Sequence, residues 1–103
     1  MIYKGIGVSG GENKGKLVKW TNSDLETTKE IIVLLPDLDV DMTEFSEICG
    51  IVSFAGGITS HGAVVAREMG IPCVVLTNQE KIEDVLGKMV LVDGWEGIIK
   101  VIN

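Results

Sequence analysis

The strongest constraint on the fold lies in residues 56–72, GGITSHGAVVAREMGIP, which read as a glycine turn followed by one helix. Two glycines and two hydroxyl residues precede His61, the one histidine of the chain, and an apolar run follows it. We expect a helix over 60–69 that ends at Gly70, because Pro72 prevents its continuation. The imidazole would then lie at the helix N-terminus, where free N–H groups and the helix dipole stabilise a phosphate carried on the ring.

The rest of the chain alternates short apolar runs with glycine, proline or polar turns, a pattern typical of strands. We also expect a helix at 79–86, a loop with a short helix in 37–46 and a loop or turn at 22–29. Strands are expected at 1–7, 16–20, 30–35, 50–54, 72–76, 89–92 and 98–102. The apolar side chains of the first helix are expected to pack on the sheet: Ala63, Val64, Val65, Ala66 and Met69. These elements predict one mixed α/β domain over 1–103, in which strands dominate two or three helices.

The composition narrows the class of protein. The chain is 46% hydrophobic and 23% charged, as expected for a folded domain rather than a disordered one. Nine basic residues against fifteen acidic ones give a net charge of −6, which argues against nucleic acid as a partner. No apolar segment is long enough for a membrane span and no signal-peptide pattern is present, so we expect no membrane association and a cytoplasmic location.

The two cysteines, Cys49 and Cys73, lie among apolar neighbours and are far apart in sequence. We expect buried, inert thiols rather than a disulfide or a metal pair. With one histidine and no Cys-x-x-Cys, no metal site is expected.

Two glycine motifs point to nucleotide binding only superficially. Residues 5–10 fit the dinucleotide pattern G-x-G-x-x-G, and residues 10–16 fit the first seven positions of a phosphate-binding P-loop. Both motifs require a helix directly after the glycines, whereas an apparent strand follows here, and Leu17 lacks the hydroxyl that holds Mg²⁺. We interpret both motifs as turn glycines.

Residues 56–72 resemble the signature of the phosphohistidine swivelling domain of phosphoenolpyruvate-utilising enzymes. Pyruvate phosphate dikinase, phosphoenolpyruvate synthase, enzyme I and rifampicin phosphotransferase carry this domain. The resemblance extends to residues 5–10, which are similar to the opening turn of the family, and to residues 92–97, which are similar to its closing hairpin. It implies the swivelling β/β/α fold, with the motif histidine at a helix N-terminus.

The resemblance also implies that His61 is the catalytic residue and takes the phosphate on Nε2. Imidazole suits this role because its reference pKa of about 6.5 leaves a neutral, nucleophilic nitrogen near neutral pH. Gly56 and Gly57 would permit an open turn that brings backbone amides close to the phosphoryl group. Thr59 or Ser60 could cap the helix, and Thr59 could hydrogen-bond the imidazole.

Two further positions belong to the expected site. Gly62 stands where relatives more often have alanine; glycine costs about 1 kcal/mol of helix propensity but would leave the approach to His61 open. Arg67 matches an arginine of the family. A phosphate contact and a structural salt bridge are both possible roles for it.

The resulting hypothesis is a phosphoryl carrier that needs partners for turnover. His61 would accept phosphate from an ATP-grasp domain or subunit and deliver it to a substrate-binding domain or subunit. We expect no cofactor on this chain alone, and Mg²⁺ with ATP or phosphoenolpyruvate on the partner. The alternatives are a non-catalytic regulatory module that retains the swivelling fold and a module that binds an anion reversibly at the helix terminus.

Overall fold

Seven β-strands close into a barrel, with one α-helix packed on its outer surface, in the computed structural model, which describes residues 1–19, 30–39, 48–77 and 81–102. The elements in chain order are β1 (Ile2–Ser9), β2 (Glu12–Lys19), β3 (Ile31–Leu35), β4 (Ile48–Ser53), α1 (His61–Met69), β5 (Cys73–Leu76), a 3₁₀-helix (Ile82–Val85), β6 (Met89–Asp93) and β7 (Ile98–Val101). None of the helices in these ranges is long and apolar enough to cross a membrane.

The strand order around the barrel is β1-β5-β4-β3-β2-β6-β7, and β7 closes it by pairing with β1. The neighbours β2, β3, β4 and β5 run parallel, and the remaining pairs are antiparallel. The sequence of β3 accounts for its parallel pairing on both sides, because all five of its residues are apolar and buried. Such a run belongs in a parallel strand that is covered on both faces.

Successive side chains of the central strands point to opposite faces of the sheet, so they belong to two apolar layers. Ile32 and Leu34 belong to the layer that fills the barrel, together with side chains from all the other strands. Ile31, Val33 and Leu35 belong to the outer layer beneath α1. The helix contributes Ala63 and Ala66 to that outer layer, and both are fully buried. This packing sets the position of α1, and hence of its first residue.

Most of the sequence predictions are confirmed. The mixed, strand-rich α/β class is correct, and each predicted strand is present within a few residues of its expected bounds. β2 begins at Glu12, earlier than the predicted residue 16. Of the helix predicted at 79–86, the described part contains a short 3₁₀-helix over Ile82–Val85, so α1 is the one α-helix within the described ranges. The loop expected at 22–29 and most of the segment 37–46 lie outside the described residues.

The prediction of turn glycines is right only for Gly10 and Gly11, because Gly5 and Gly7 lie within β1 and Gly15 lies within β2. Gly10 and Gly11 connect β1 to β2, and Gly11 has a φ of 126°, a conformation that favours glycine. A strand follows both motifs, so the helix that a dinucleotide site or a P-loop requires is absent from this part of the described chain.

Candidate functional site

His61 is the first residue of α1 and its side chain is exposed. A loop leads to it from the carboxyl end of β4, which pairs with a parallel strand on each side. Ser60 occupies the N-cap position with extended backbone angles, φ −64° and ψ 152°. The parallel sheet and the buried face of α1 therefore hold the imidazole outside the core.

The loop before His61 is closed by two reciprocal hydrogen bonds. The Gly57 amide donates to Ser60 Oγ at 2.8 Å, and the Ser60 amide donates to the Gly57 carbonyl at 3.0 Å. Ser60 is the N-cap residue, but its hydroxyl makes no hydrogen bond to the first turn of the helix, so the predicted side-chain cap is wrong. The hydroxyl stabilises the preceding turn instead. Thr59 is exposed, and no hydrogen bond joins it to the imidazole within the described ranges.

Leu38 supports the loop from below. Its side chain is fully buried, its amide donates to the Ala55 carbonyl at 3.1 Å, and its carbonyl accepts from the Gly62 amide at 2.6 Å. Gly56 lies against it with a φ of 128°, where an added Cβ would come within 2.8 Å of the Leu38 side chain. Only glycine meets both requirements at position 56.

Gly62 also contacts Leu38, and this contact gives a reason for glycine at a position where alanine is expected. A Cβ at residue 62 would lie 2.9 Å from the Leu38 carbonyl oxygen. Gly62 is buried against that backbone, so close packing on Leu38 requires glycine at this position. Gly57 differs, because a Cβ there would meet nothing within 4 Å.

The amides at the start of α1 are unequally available to a ligand. The Gly62 amide is engaged by Leu38 and Ala63 is fully buried, whereas the amide of the exposed His61 has no hydrogen-bond acceptor among the described residues. Unsatisfied N–H groups in a first helical turn carry partial positive charge. An anion beside the imidazole would therefore meet a favourable electrostatic field.

Arg67 is directed away from this terminus. Its Nη1 donates to the Val8 carbonyl at 2.9 Å, a contact that ties α1 to β1. It lies six residues beyond His61, which is about 9 Å along a helix axis. The described residues thus show Arg67 in a structural hydrogen bond rather than in a salt bridge.

Exposed apolar side chains flank the imidazole. Ile58 in the loop is 63% exposed and Val64, one helical turn after His61, is 37% exposed. The prediction that Val64 and Met69 pack on the sheet is wrong, because both lie on the solvent side of α1 while Ala63 and Ala66 face the core. Val65 is half-buried and packs against that core.

The cysteines have no reactive surroundings. Both are free, Cys73 being buried and Cys49 half-buried. Burial raises the pKa of the Cys73 thiol to about 12, although Arg67 opposes the shift. Burial also raises the pKa of Cys49, and nearby Glu30 adds to it. Within the described ranges, no group of three or more histidine, cysteine or acidic side chains could hold a metal ion.

The structure combines a barrel, one outer helix and an exposed histidine at the start of that helix. These features agree with the kind of domain that residues 56–72 resemble. The family model described as "PEP-utilising enzyme, mobile domain" matches residues 27–97. The chain belongs to this family.

Comparison with known proteins gives the same result. The chain is 37% identical over 102 residues to the phosphoenolpyruvate synthase of Pyrococcus furiosus, and 32% identical over 104 residues to the rifampicin phosphotransferase of Streptomyces sviceus. Each match covers 96% of this chain but 12% of the relative. A solution structure of Enzyme I is 40% identical, with a TM-score of 0.59, over 79% of this chain and 34% of that one. This chain is thus similar to a small part of much longer proteins.

Proposed function

We propose that this chain carries a phosphoryl group on His61, accepting it from one active site and delivering it to another. The observation that supports this role most strongly is the exposed imidazole at the first position of α1. A side chain placed there can enter a visiting active site without any change in the core.

The chemistry requires an unprotonated ring nitrogen. Nε2, the nitrogen farther from the backbone, attacks the phosphorus atom of the donor. The P–N bond forms as the P–O bond to the donor's leaving group breaks, and the ring remains protonated on Nδ1. In the second half-reaction the acceptor oxygen attacks phosphorus, and the P–N bonding pair returns to Nε2 so that the ring regains its neutral form. A proton carried by the acceptor oxygen passes to a base on the partner.

The negative charge of the phosphoryl group would be stabilised partly by this chain and partly by its partners. The amide of His61 and the dipole of α1 favour the negative charge of the phosphoryl group. The guanidinium of Arg67 is engaged by Val8, so among the described residues of α1 the contribution to the phosphate comes from backbone groups. Mg²⁺, bound with ATP or phosphoenolpyruvate on the donor, would supply the charge neutralisation that phosphoryl transfer needs.

The two partner sites would be an ATP-grasp domain or subunit and a substrate-binding domain or subunit. The size comparison supports the presence of partner domains, because the chain spans 12% of the phosphoenolpyruvate synthase of Pyrococcus furiosus and of the rifampicin phosphotransferase of Streptomyces sviceus. The relatives named phosphoenolpyruvate synthase and rifampicin phosphotransferase differ in what they act on, so the acceptor is set by the partner.

Labelling tests the proposal directly. The purified chain is incubated with its cognate ATP-grasp donor, Mg²⁺ and radiolabelled ATP. We expect a phosphate adduct that is labile in acid and stable in base. His61→Ala should abolish it, whereas Thr59→Ala, the matched control for a neighbouring hydroxyl ester, should still be labelled. Equal labelling of His61→Ala would refute the proposal; donor binding without labelling would indicate a regulatory module, and reversible phosphate binding an anion-binding one.

A further inference from the structure

A second surface of the barrel carries a pattern that the phosphohistidine chemistry does not use. The outward side chains of β1, β7, β6 and β2 form cross-strand rows, because directly paired residues point to the same face. One row is Ile2, Lys100, Leu91 and Lys14, and the next is Lys4, Ile98, Asp93 and Glu12. Lys16 pairs with Met89 beyond them. We name these ten residues the basic sheet face.

This face is open to solvent. All four lysines and Ile2 are exposed, while Leu91, Ile98 and Met89 are half-buried. The intervening residues of the same strands point inward and fill the barrel: Tyr3, Leu17, Val90, Val92 and Ile99. In the barrel order, β6 and β7 lie farthest from β4, which contributes to the layer beneath α1. The middle of the basic sheet face is therefore three strands away from β4, whereas its edge strand β1 also contacts α1 through Val8.

The charge of the face is opposite to that of the chain. Four lysines against Glu12 and Asp93 give the face a net charge of +2, whereas the whole chain carries −6, so the remainder carries −8. Asp93 is already engaged, since its Oδ1 accepts hydrogen bonds from the amides of Trp95 and Glu96 at 2.9 and 3.0 Å. Within the described ranges, the one ion pair is Lys19–Glu83, so these four lysines have no carboxylate partner there.

We propose that the basic sheet face docks a carboxylate-rich protein surface on the phosphate donor. This inference rests on the proposed function, because it assigns the surface that holds the carrier near its donor. Clustered lysines without partners repel one another, and an acidic surface would relieve that repulsion and speed encounter. Ile2, Leu91 and Ile98 lie between the charges and supply the apolar contact typical of the centre of a protein interface.

The same features disfavour polyanionic partners. Nucleic acids and anionic membranes extend beyond a small patch and would meet the −8 carried by the remainder of the chain. Leu91 separates the two lysines of the first row and offers nothing to a phosphate backbone, whereas a protein surface can match both the charges and the apolar side chain. None of the ten residues lies on α1 or in the loop before it, so docking through this face leaves the His61 side chain uncovered.

Binding is measured first, with the His61→Ala variant and the cognate ATP-grasp donor, so that the result does not depend on transfer. Lys14→Glu/Lys100→Glu reverses two charges that flank Leu91 in one row. Lys81→Glu/Lys88→Glu, at exposed positions off the face, makes the same change in net charge. At low salt we expect the first pair to slow association about tenfold and the control pair to have little effect. Lys14→Gln/Lys100→Gln should give an intermediate loss, and salt should reduce every difference.

Labelling on a wild-type His61 background separates this inference from the proposed function. If wild type is labelled and the first pair needs a higher donor concentration but reaches the same maximal rate, the docking surface is supported. If wild type is never labelled, the proposed function fails, while the binding comparison still decides the surface. Equal losses from the two lysine pairs would overturn the inference. So would a face variant that loses only self-association, or only binding to duplex DNA or anionic vesicles, while donor binding is unchanged.

Discussion

Gly56 and Gly57 are adjacent and both exposed, yet alanine should have opposite consequences at the two positions. At Gly56 the φ of 128° is a conformation that residues with a side chain rarely adopt. In addition, a Cβ there would lie 2.8 Å from both Cβ and Cγ of the fully buried Leu38. At Gly57 the φ is not in that region, and an added Cβ would meet nothing within 4 Å. The two substitutions add the same methyl group to one loop.

The magnitude follows from two costs at Gly56. Backbone strain of this kind costs about 1–3 kcal/mol. Forcing a methyl group against packed atoms costs about 1–3 kcal/mol more, part of which is relieved if Leu38 moves. We expect Gly56→Ala to lower the free energy of unfolding by about 3 kcal/mol. Gly57→Ala should leave it unchanged or raise it by up to about 1 kcal/mol, because alanine restricts the unfolded chain.

Urea unfolding followed by circular dichroism measures both variants against wild type. With a slope of about 1–3 kcal/mol/M for a small protein, a loss of about 3 kcal/mol lowers the midpoint by about 1–3 M. Equal midpoints for the two variants, or a larger loss for Gly57→Ala, would refute the assignment of Leu38 as the support of the loop. Leu38→Ala combined with Gly56→Ala tests the contact itself, since the second cost should shrink when the methyl group has room.

Three further predictions concern single contacts. Ser60→Ala removes the acceptor of the Gly57 amide and should cost about 0.5–1.5 kcal/mol in urea unfolding while slowing labelling of His61; an unchanged labelling rate would contradict its positioning role. Arg67→Met removes the donor to the Val8 carbonyl, so it should lower stability by about 1 kcal/mol yet leave labelling of the folded protein unchanged; lost labelling at full stability would point to a phosphate contact. The raised pKa of Cys73, about 12 in the fold, means that the unfolded thiol ionises first as pH rises. Stability should therefore fall from about pH 9 upward, and fall less steeply in Cys73→Ala; equal slopes in the two proteins would contradict this.

The sequence predicts those parts of the fold whose signal is local. The unbroken apolar run of β3 and the turn-then-helix pattern around α1 each determine their own element. The first half of β2 lacks such a local signal. Glu12 and Lys14 point outward and Asn13 and Gly15 point inward, so no alternation of polar and apolar side chains marks the strand. Asn13 is satisfied by donating to the Cys49 carbonyl at 2.9 Å, a contact that periodicity cannot reveal.

The candidate site divides in the same way. The motif identifies His61 and the helix that follows it, since both depend on neighbouring residues. The role of Leu38 could not be predicted, because it reaches Gly56 and Gly62 only through the folded loop. The helix pattern likewise could not separate Val64, which is exposed, from Ala63, which is buried, because both are apolar.

The most direct test of the central claim uses the fact that the chain has a single histidine. Protein labelled with ¹⁵N-histidine gives ring-nitrogen signals from His61 alone, and these are recorded before and after reaction with the donor, Mg²⁺ and ATP. We predict that the Nε2 signal shifts and gains a coupling to phosphorus, and that it returns to its original position when an acceptor removes the phosphate. Incorporated phosphate with both ring-nitrogen signals unchanged would contradict the claim.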